Sequence, residues 1–143
     1  MILTRKQWMD EIKEFAPNMD WAKIDLPDST YQTVTRKYVE EKYDPYWLKV
    51  KTVLRILSWR KKNQCNHFAK GAQFVAAVLH DKSDSEAESV AMAEFEYKIE
   101  KSGIFHEINI WRTEHGIEAY EPQNGKWLNL TQLERFSGRR ASS

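Results

Sequence analysis

Cysteine is almost missing from this chain of 143 residues: Cys65 is the only one, so no disulfide can form within it. A lone thiol suits a reducing compartment, and a cytoplasmic protein is the expectation. Long hydrophobic runs are missing too. No stretch approaches a membrane span, and Met1-Ile2-Leu3-Thr4-Arg5-Lys6 lacks the apolar core of a signal peptide. There is no excess of either charge: 22 basic against 21 acidic residues leave a formal net charge of +1. That balance provides no global field for nucleic acid or a membrane surface, so neither is an expected partner. The one local basic run, Arg60-Lys61-Lys62, reads as a solvated helix end. No internal repeat is present. What the chain does have is 41% hydrophobic and 13% aromatic residues, enough for one core, and a single domain over 1–143 is expected.

Helical signals come first along the chain. Thr4-Arg5-Lys6-Gln7 forms a capping box, and Trp8, Ile12 and Phe15 follow on one face as far as Pro17. Residues 17–28 are turn-rich. Ser29-Thr30-Tyr31-Gln32 reads as a second capping box, opening a helix to about Tyr43. Asp44-Pro45 reads as an N-cap followed by a first-turn proline, with Trp47, Val50, Val53, Leu54 and Leu57 at helical spacing beyond it. Cys65 then opens a helix to His80, with Phe68, Ala69, Ala72, Val75, Ala76 and Leu79 on its own face. After the acidic loop 81–88 the period shortens. Ala91, Ala93, Phe95, Tyr97 and Ile99 alternate with Met92, Glu94, Glu96 and Lys98, which is a strand pattern, although Ala, Met and Glu are good helix formers and leave a helix open here. Strands are expected over 104–111 and 117–120, joined at 113–116, and Asn124-Gly125 marks a hairpin into Lys126-Trp127-Leu128. Thr131-Gln132-Leu133-Glu134 caps a short last helix, and 138–143 reads as a mobile tail. Helices followed by strands imply an α+β domain, with the helices on one face of an antiparallel sheet.

A thiol in the first turn of a helix lies at the positive end of the dipole, which favours the nucleophilic thiolate. A loop at 113–116 pairs Arg112 with Ile117 and Ile110 with Ala119. That register gives His106, Ile108, Ile110, Ala119 and Glu121 one shared face, expected to be the face that meets the Cys65 helix. His106 and Glu121 then become neighbours beside the thiol. An imidazole there would deprotonate the thiol, and a carboxylate would fix the imidazole's tautomer.

Cys65-Asn66-His67-Phe68-Ala69, His106-Glu107-Ile108-Asn109 and Glu121-Pro122-Gln123 together resemble a family pattern, Cys-x-x-Phe-Ala … His-x-x-Asn … Glu-Pro-Gln. It is the pattern of small papain-like, transglutaminase-like cysteine-peptidase domains, found in phage and bacterial proteins and in the protease domain of a mushroom agglutinin. The resemblance spans 60–130 as a catalytic core and leaves 1–58 as a helical N-terminal part. It implies a hydrolase acting on a peptide or isopeptide bond of a peptide or protein substrate. Cys65 would be the nucleophile, His106 the base and Glu121 the orienting acid, with Asn109 and Gln123 in support. The oxyanion glutamine of papain-like enzymes lies upstream of the cysteine. Trp59 stands at that position, which leaves Gln64 or Asn63 to donate instead. No cofactor is implied. The agglutinin domain's calcium requirement does not transfer, because no matching ligand set is legible, and calcium dependence stays open.

Three alternatives stand beside the peptidase. A metal site would draw on Cys65, His67, His80, His106 and His115, but Cys65 and His67 diverge by about 200° on a helix and no Cys/His pair repeats. A catalytically silent domain could serve as a protein-binding module, for example a phage protein that captures a host factor. The same three residues could also support transglutaminase or deamidase chemistry, since specificity lies in pocket shape. The oligomeric state is not legible.

Overall fold

A computed structural model describes residues 1–58, 60 and 64–143. Strand β1 (Ile2–Thr4) leads into α1 (Arg5–Phe15), whose Thr4–Gln7 capping box forms as the sequence implies. A short 3₁₀ turn then precedes β2 (Ile24–Asp25) and β3 (Thr30–Gln32). The helix expected from Ser29 is therefore displaced. Thr30 pairs with Thr4 on β1, and the β-branched run Thr33-Val34-Thr35 stays extended until Thr35 caps α2 (Arg36–Tyr38). From there a π-helical stretch, Val39–Tyr43, runs without a break into α3 (Asp44–Val53). Asp44-Pro45 is thus not a fresh helix start. Pro45 sits just beyond the widened turn, where a missing amide donor is tolerated, and the Asp44 carboxylate instead accepts a 2.5 Å hydrogen bond from the Tyr120 hydroxyl.

Helix α4 (Cys65–Asp81) begins where the periodicity placed it. Then come β4 (Ser89–Val90), β5 (Met92–Lys98), β6 (Phe105–Thr113), β7 (Gly116–Glu121), β8 (Lys126–Leu128), the capped α5 (Gln132–Phe136) and β9 (Arg140–Ser142). A six-stranded sheet has the order β2-β9-β5-β6-β7-β8, and β1-β3-β4 form a smaller one. Both contain a parallel pair, β2 with β9 and β3 with β4, so the expected purely antiparallel sheet is mixed. The end of the chain is not a mobile tail. Ala141 is fully buried, and β9 is inserted between β2 and β5.

The β6–β7 register is as read: Arg112 faces Ile117 and Ile110 faces Ala119. The expected neighbour of that face is corrected. Ile108, Ile110, Ala119 and Phe95 pack against Trp8 and Ile12 of α1. Helix α4 lies on the opposite face, where Phe68, Ala72 and Val75 meet Met92, Trp111 and Tyr120. Helices therefore cover both faces of the large sheet, and β5 and β6 are buried on both sides. Glu94, Glu107 and Asn109 are enclosed on the α4 side as a consequence.

Candidate functional site

Cys65 is half-buried in the first turn of α4 and is a free thiol. The preceding residue, Gln64, donates its backbone N–H to Nδ1 of His67 at 3.1 Å, which ties down the helix start. His106 near the start of β6 and Glu121 at the end of β7 come together as their register requires. Nε2 of His106 donates to Oε2 of Glu121 at 2.6 Å. The other carboxylate oxygen of Glu121 accepts the Gln123 backbone N–H at 3.2 Å. The edge of the Tyr97 ring rests against the imidazole, 6.0 Å between centroids. Burial, together with the Glu134 and Glu121 carboxylates, pushes the Tyr97 hydroxyl up to about 12, so it stays neutral at physiological pH.

The turn after Glu121 is pinned from behind by α3. The Trp47 indole donates to the Pro122 carbonyl at 2.7 Å, and the ammonium of Lys51 donates to the carbonyls of Pro122 and Gln123 at 2.9 and 3.0 Å. Lys51 is nearly enclosed and its pKa is lowered by burial. Gly125 closes the turn at φ 72, with no room for a Cβ against the Asp44 carboxylate.

These elements frame a cavity of about 440 Å³ lined by Gln64, Cys65, Ile99, Ile104, Phe105, His106 and Gln123. Cys65, His106, Gln64 and Gln123 thus share one cleft, with Glu121 behind the imidazole. Among the described residues no hydrogen bond joins Cys65 to His106, whose Nδ1 is without a partner. Asn63 and Trp59 lie outside the described residues, as do Lys61 and Lys62 of the basic run. Asn109 is not in the cleft. It projects from the opposite face of β6 to His106, is fully buried, and donates to the Ala69 carbonyl at 3.0 Å, which fastens α4 to the sheet. No group of three or more His, Cys, Asp or Glu side chains among the described residues is placed to hold a metal ion.

Sequence reasoning missed a second concave region, at the β8 edge. It is a cavity of about 560 Å³ whose walls include Phe15, Arg36, Glu118, Trp127 and Arg135. The Arg36 guanidinium lies over the Trp127 ring, 4.8 Å from its centroid, and pairs with Glu118 at 3.0 Å and Glu40 at 3.2 Å. No motif signals this grouping, because its members come from α1, α2, β7, β8 and α5.

No family model matches the chain, and no curated protein does either. Solved structures do. A PSL1a–E64 complex superposes with a TM-score of 0.73 at 16% identity, over 99% of this chain and 51% of that one. Polyporus squamosus lectin, bound to the human-type influenza-binding epitope Neu5Aca2-6Galb1-4GlcNAc, superposes with a TM-score of 0.68 at 15% identity, over 99% of this chain and 49% of that one. The chain therefore spans about half the length of the solved structures it matches, and at this identity the likeness is one of fold. It corrects the family assignment made from the Cys, His and Glu motifs. One of these structures is a lectin with a bound glycan epitope and the other a complex with E64, and the likeness to both is to the fold. The readings that depended on that assignment are withdrawn with it: a papain-like hydrolase, a transglutaminase or deamidase, and a phage protein. The fold is α+β, and no helix among the described residues is long and apolar enough to cross a membrane.

Proposed function

We propose that this chain is a binding module for glycans that holds its ligand without turnover. The observation that supports the reading is the likeness, across 99% of the chain, to a lectin with a bound sialylated trisaccharide. The Cys65 cleft suits such a ligand. The free Nδ1 of His106 and the carboxamide of Gln123 offer hydrogen bonds to sugar hydroxyls, and the Glu121 carboxylate holds the imidazole in place. Ile104 is exposed at its rim and offers an apolar wall for the C–H face of a pyranose ring, beside Phe105, whose ring carries the Arg139 guanidinium 3.6 Å from its centroid. Cys65 contributes shape here, and Gln64 lines the same cleft. These contacts need no metal or cofactor. The unpaired thiol suits a reducing, cytosolic setting.

Titration of the full chain with neutral and sialylated lactosamine glycans, followed by calorimetry or ligand-observed NMR, tests the proposal. Saturable binding that weakens in His106→Ala is expected. Absence of binding to every glycan would overturn it. So would hydrolysis of a peptide or amide substrate that disappears in Cys65→Ala.

A further inference from the structure

Beyond the Cys65 cleft, we infer that the groove at the β8 edge is a second ligand site, one that reads the carboxylate of an acidic sugar through Arg135; this rests on the glycan reading above. The groove is built from three sources. Phe15 at the end of α1 and Leu128 on β8 give it apolar walls, and α5 places Arg135 beside them. It continues past Phe15, Ile117 and Arg135 into an adjoining cavity of about 390 Å³. Its length thus exceeds what one sugar ring fills, and both volumes lie in the range of small-molecule sites.

Charge singles out the ligand class. Three arginines face these two cavities. Arg36 is neutralised by Glu118 and Glu40, and Arg112 by Glu11 at 2.5 Å. Arg135 has no carboxylate partner among the described residues; its guanidinium lies over the Phe15 ring, 5.5 Å from the centroid. Stacking on a ring leaves the edge N–H donors of a guanidinium directed outward, the geometry that receives a carboxylate in a bidentate pair. Asn129 and Glu118 supply the mixed donors and acceptors that hydroxyls need. Glu14 also lines the adjoining cavity, so the carboxylate of the ligand is placed at Arg135 on the Asn129 side of the junction, where hydroxyl-binding groups and apolar walls meet; this fits a glycan ending in a carboxylated sugar. A neutral sugar offers Arg135 no charge-assisted pair.

The test compares sialylated lactosamine with the same glycan lacking its sialic acid, on wild type, Arg135→Gln and His106→Ala. Arg135→Gln should weaken the sialylated ligand about tenfold or more and leave the neutral one unchanged, because a charge-assisted pair is lost. Arg135→Lys should recover part of the difference. Equal binding of both glycans to wild type would overturn the inference, and so would sialylated binding that Arg135→Gln leaves intact; the binding-module reading survives either result. Absence of all glycan binding would remove both. Should Arg135→Gln fail to fold, shift perturbations on the wild-type protein decide. Signals of Phe15, Ile117 and Asn129 that move only with the sialylated ligand support the site, and signals that stay still overturn it.

Discussion

The two faces of the six-stranded sheet are built from the same strands and have opposite chemistry. Towards α1 the strands present Phe95, Ile108, Ile110 and Ala119, an apolar surface against Trp8 and Ile12. Towards α4 they present Met92, Trp111 and Tyr120, but also Glu94, Glu107 and Asn109, all enclosed. The first face is held mainly by packing, with the Arg112–Glu11 pair joining β6 to α1 at its edge. The second carries carboxylates and an amide whose oxygens are incompletely satisfied: Oδ1 of Asn109 is buried without a hydrogen-bond partner among the described residues, and Oε1 of Glu107 has none while Glu94 is ionised. Side-chain alternation makes such a division possible, and covering both faces with helices makes the polar half costly.

The largest effect expected is on the apolar face. Phe95 is fully buried, edge-on to Phe15 at 5.5 Å between centroids and stacked on Tyr97 at 6.0 Å. Phe95→Ala should cost about 3–5 kcal/mol, measured by denaturant unfolding, because a cavity opens where neighbours cannot collapse. A loss under about 1 kcal/mol would mean that this face is not the tightly packed one.

The polar face should instead answer to pH. Burial raises the Glu94 carboxyl to about 8, reinforced by its hydrogen bond to Glu107 and that group's charge; Lys70 and Arg140 oppose the shift. Folded-state affinity for this proton exceeds that of the unfolded chain. The stabilisation it brings is therefore full below the unfolded value of about 4.5 and is lost as pH rises towards about 8. Unfolding free energy should fall across that window, by up to about 1.4 kcal/mol per pH unit from this group. Glu94→Gln keeps a donor for Glu107 without an ionisable proton. It should flatten the slope and be more stable than wild type at pH 8. An unchanged slope in the variant would show that Glu94 does not hold the proton.

A smaller loss is expected where the turn after Glu121 meets α3. Gly125 has φ 72, and a Cβ there would lie 2.4 Å from Asp44 Oδ1. Gly125→Ala should cost about 1–3 kcal/mol through backbone strain and displacement of that carboxylate. The variant should also loosen the Tyr120–Asp44 hydrogen bond, visible as a weaker near-ultraviolet signal. Unchanged stability would place the rigidity of this turn elsewhere, in the Lys51 and Trp47 contacts.

Legibility from sequence follows the same division. Hairpin register, the α1 and α5 capping boxes and the start of α4 depend on local spacing, and each is where its residues imply. So is the His106–Glu121 pair, because alternation and a short loop suffice to bring it together. What needs long-range knowledge was not legible. Ser29-Thr30-Tyr31-Gln32 satisfies a helix-start pattern, yet pairing with β1 at the other side of α1 claims it for a strand. Nothing local in Arg140-Ala141-Ser142 signals a place between two other strands. The face that α4 covers could not be read either, since β5 and β6 carry buried residues on both sides. The Cys, His and Glu motifs are where the register puts them, but three side chains in a cleft did not identify a family.

The smallest effect expected is at Cys65, and it separates the cleft from both faces of the sheet. Its thiol is half-buried at a helix start, so removing it opens little cavity and leaves the Gln64–His67 cap untouched. Cys65→Ala should therefore change unfolding free energy by no more than about 0.5 kcal/mol, far less than Phe95→Ala. Glycan affinity should stay within about twofold of wild type, because a thiol is a weak hydrogen-bond donor and the polar contacts of the cleft come from His106 and Gln123. His106→Ala should weaken the same ligand by about tenfold, since it deletes the imidazole and leaves the Glu121 carboxylate without its 2.6 Å partner. This contrast is the sharpest check on a cleft that binds without turnover. In a nucleophilic site Cys65→Ala would be the most damaging change to function, and His106→Ala would act through it. If Cys65 is instead the residue on which a measurable conversion of ligand depends, the order of the two variants reverses, and binding alone no longer describes the cleft.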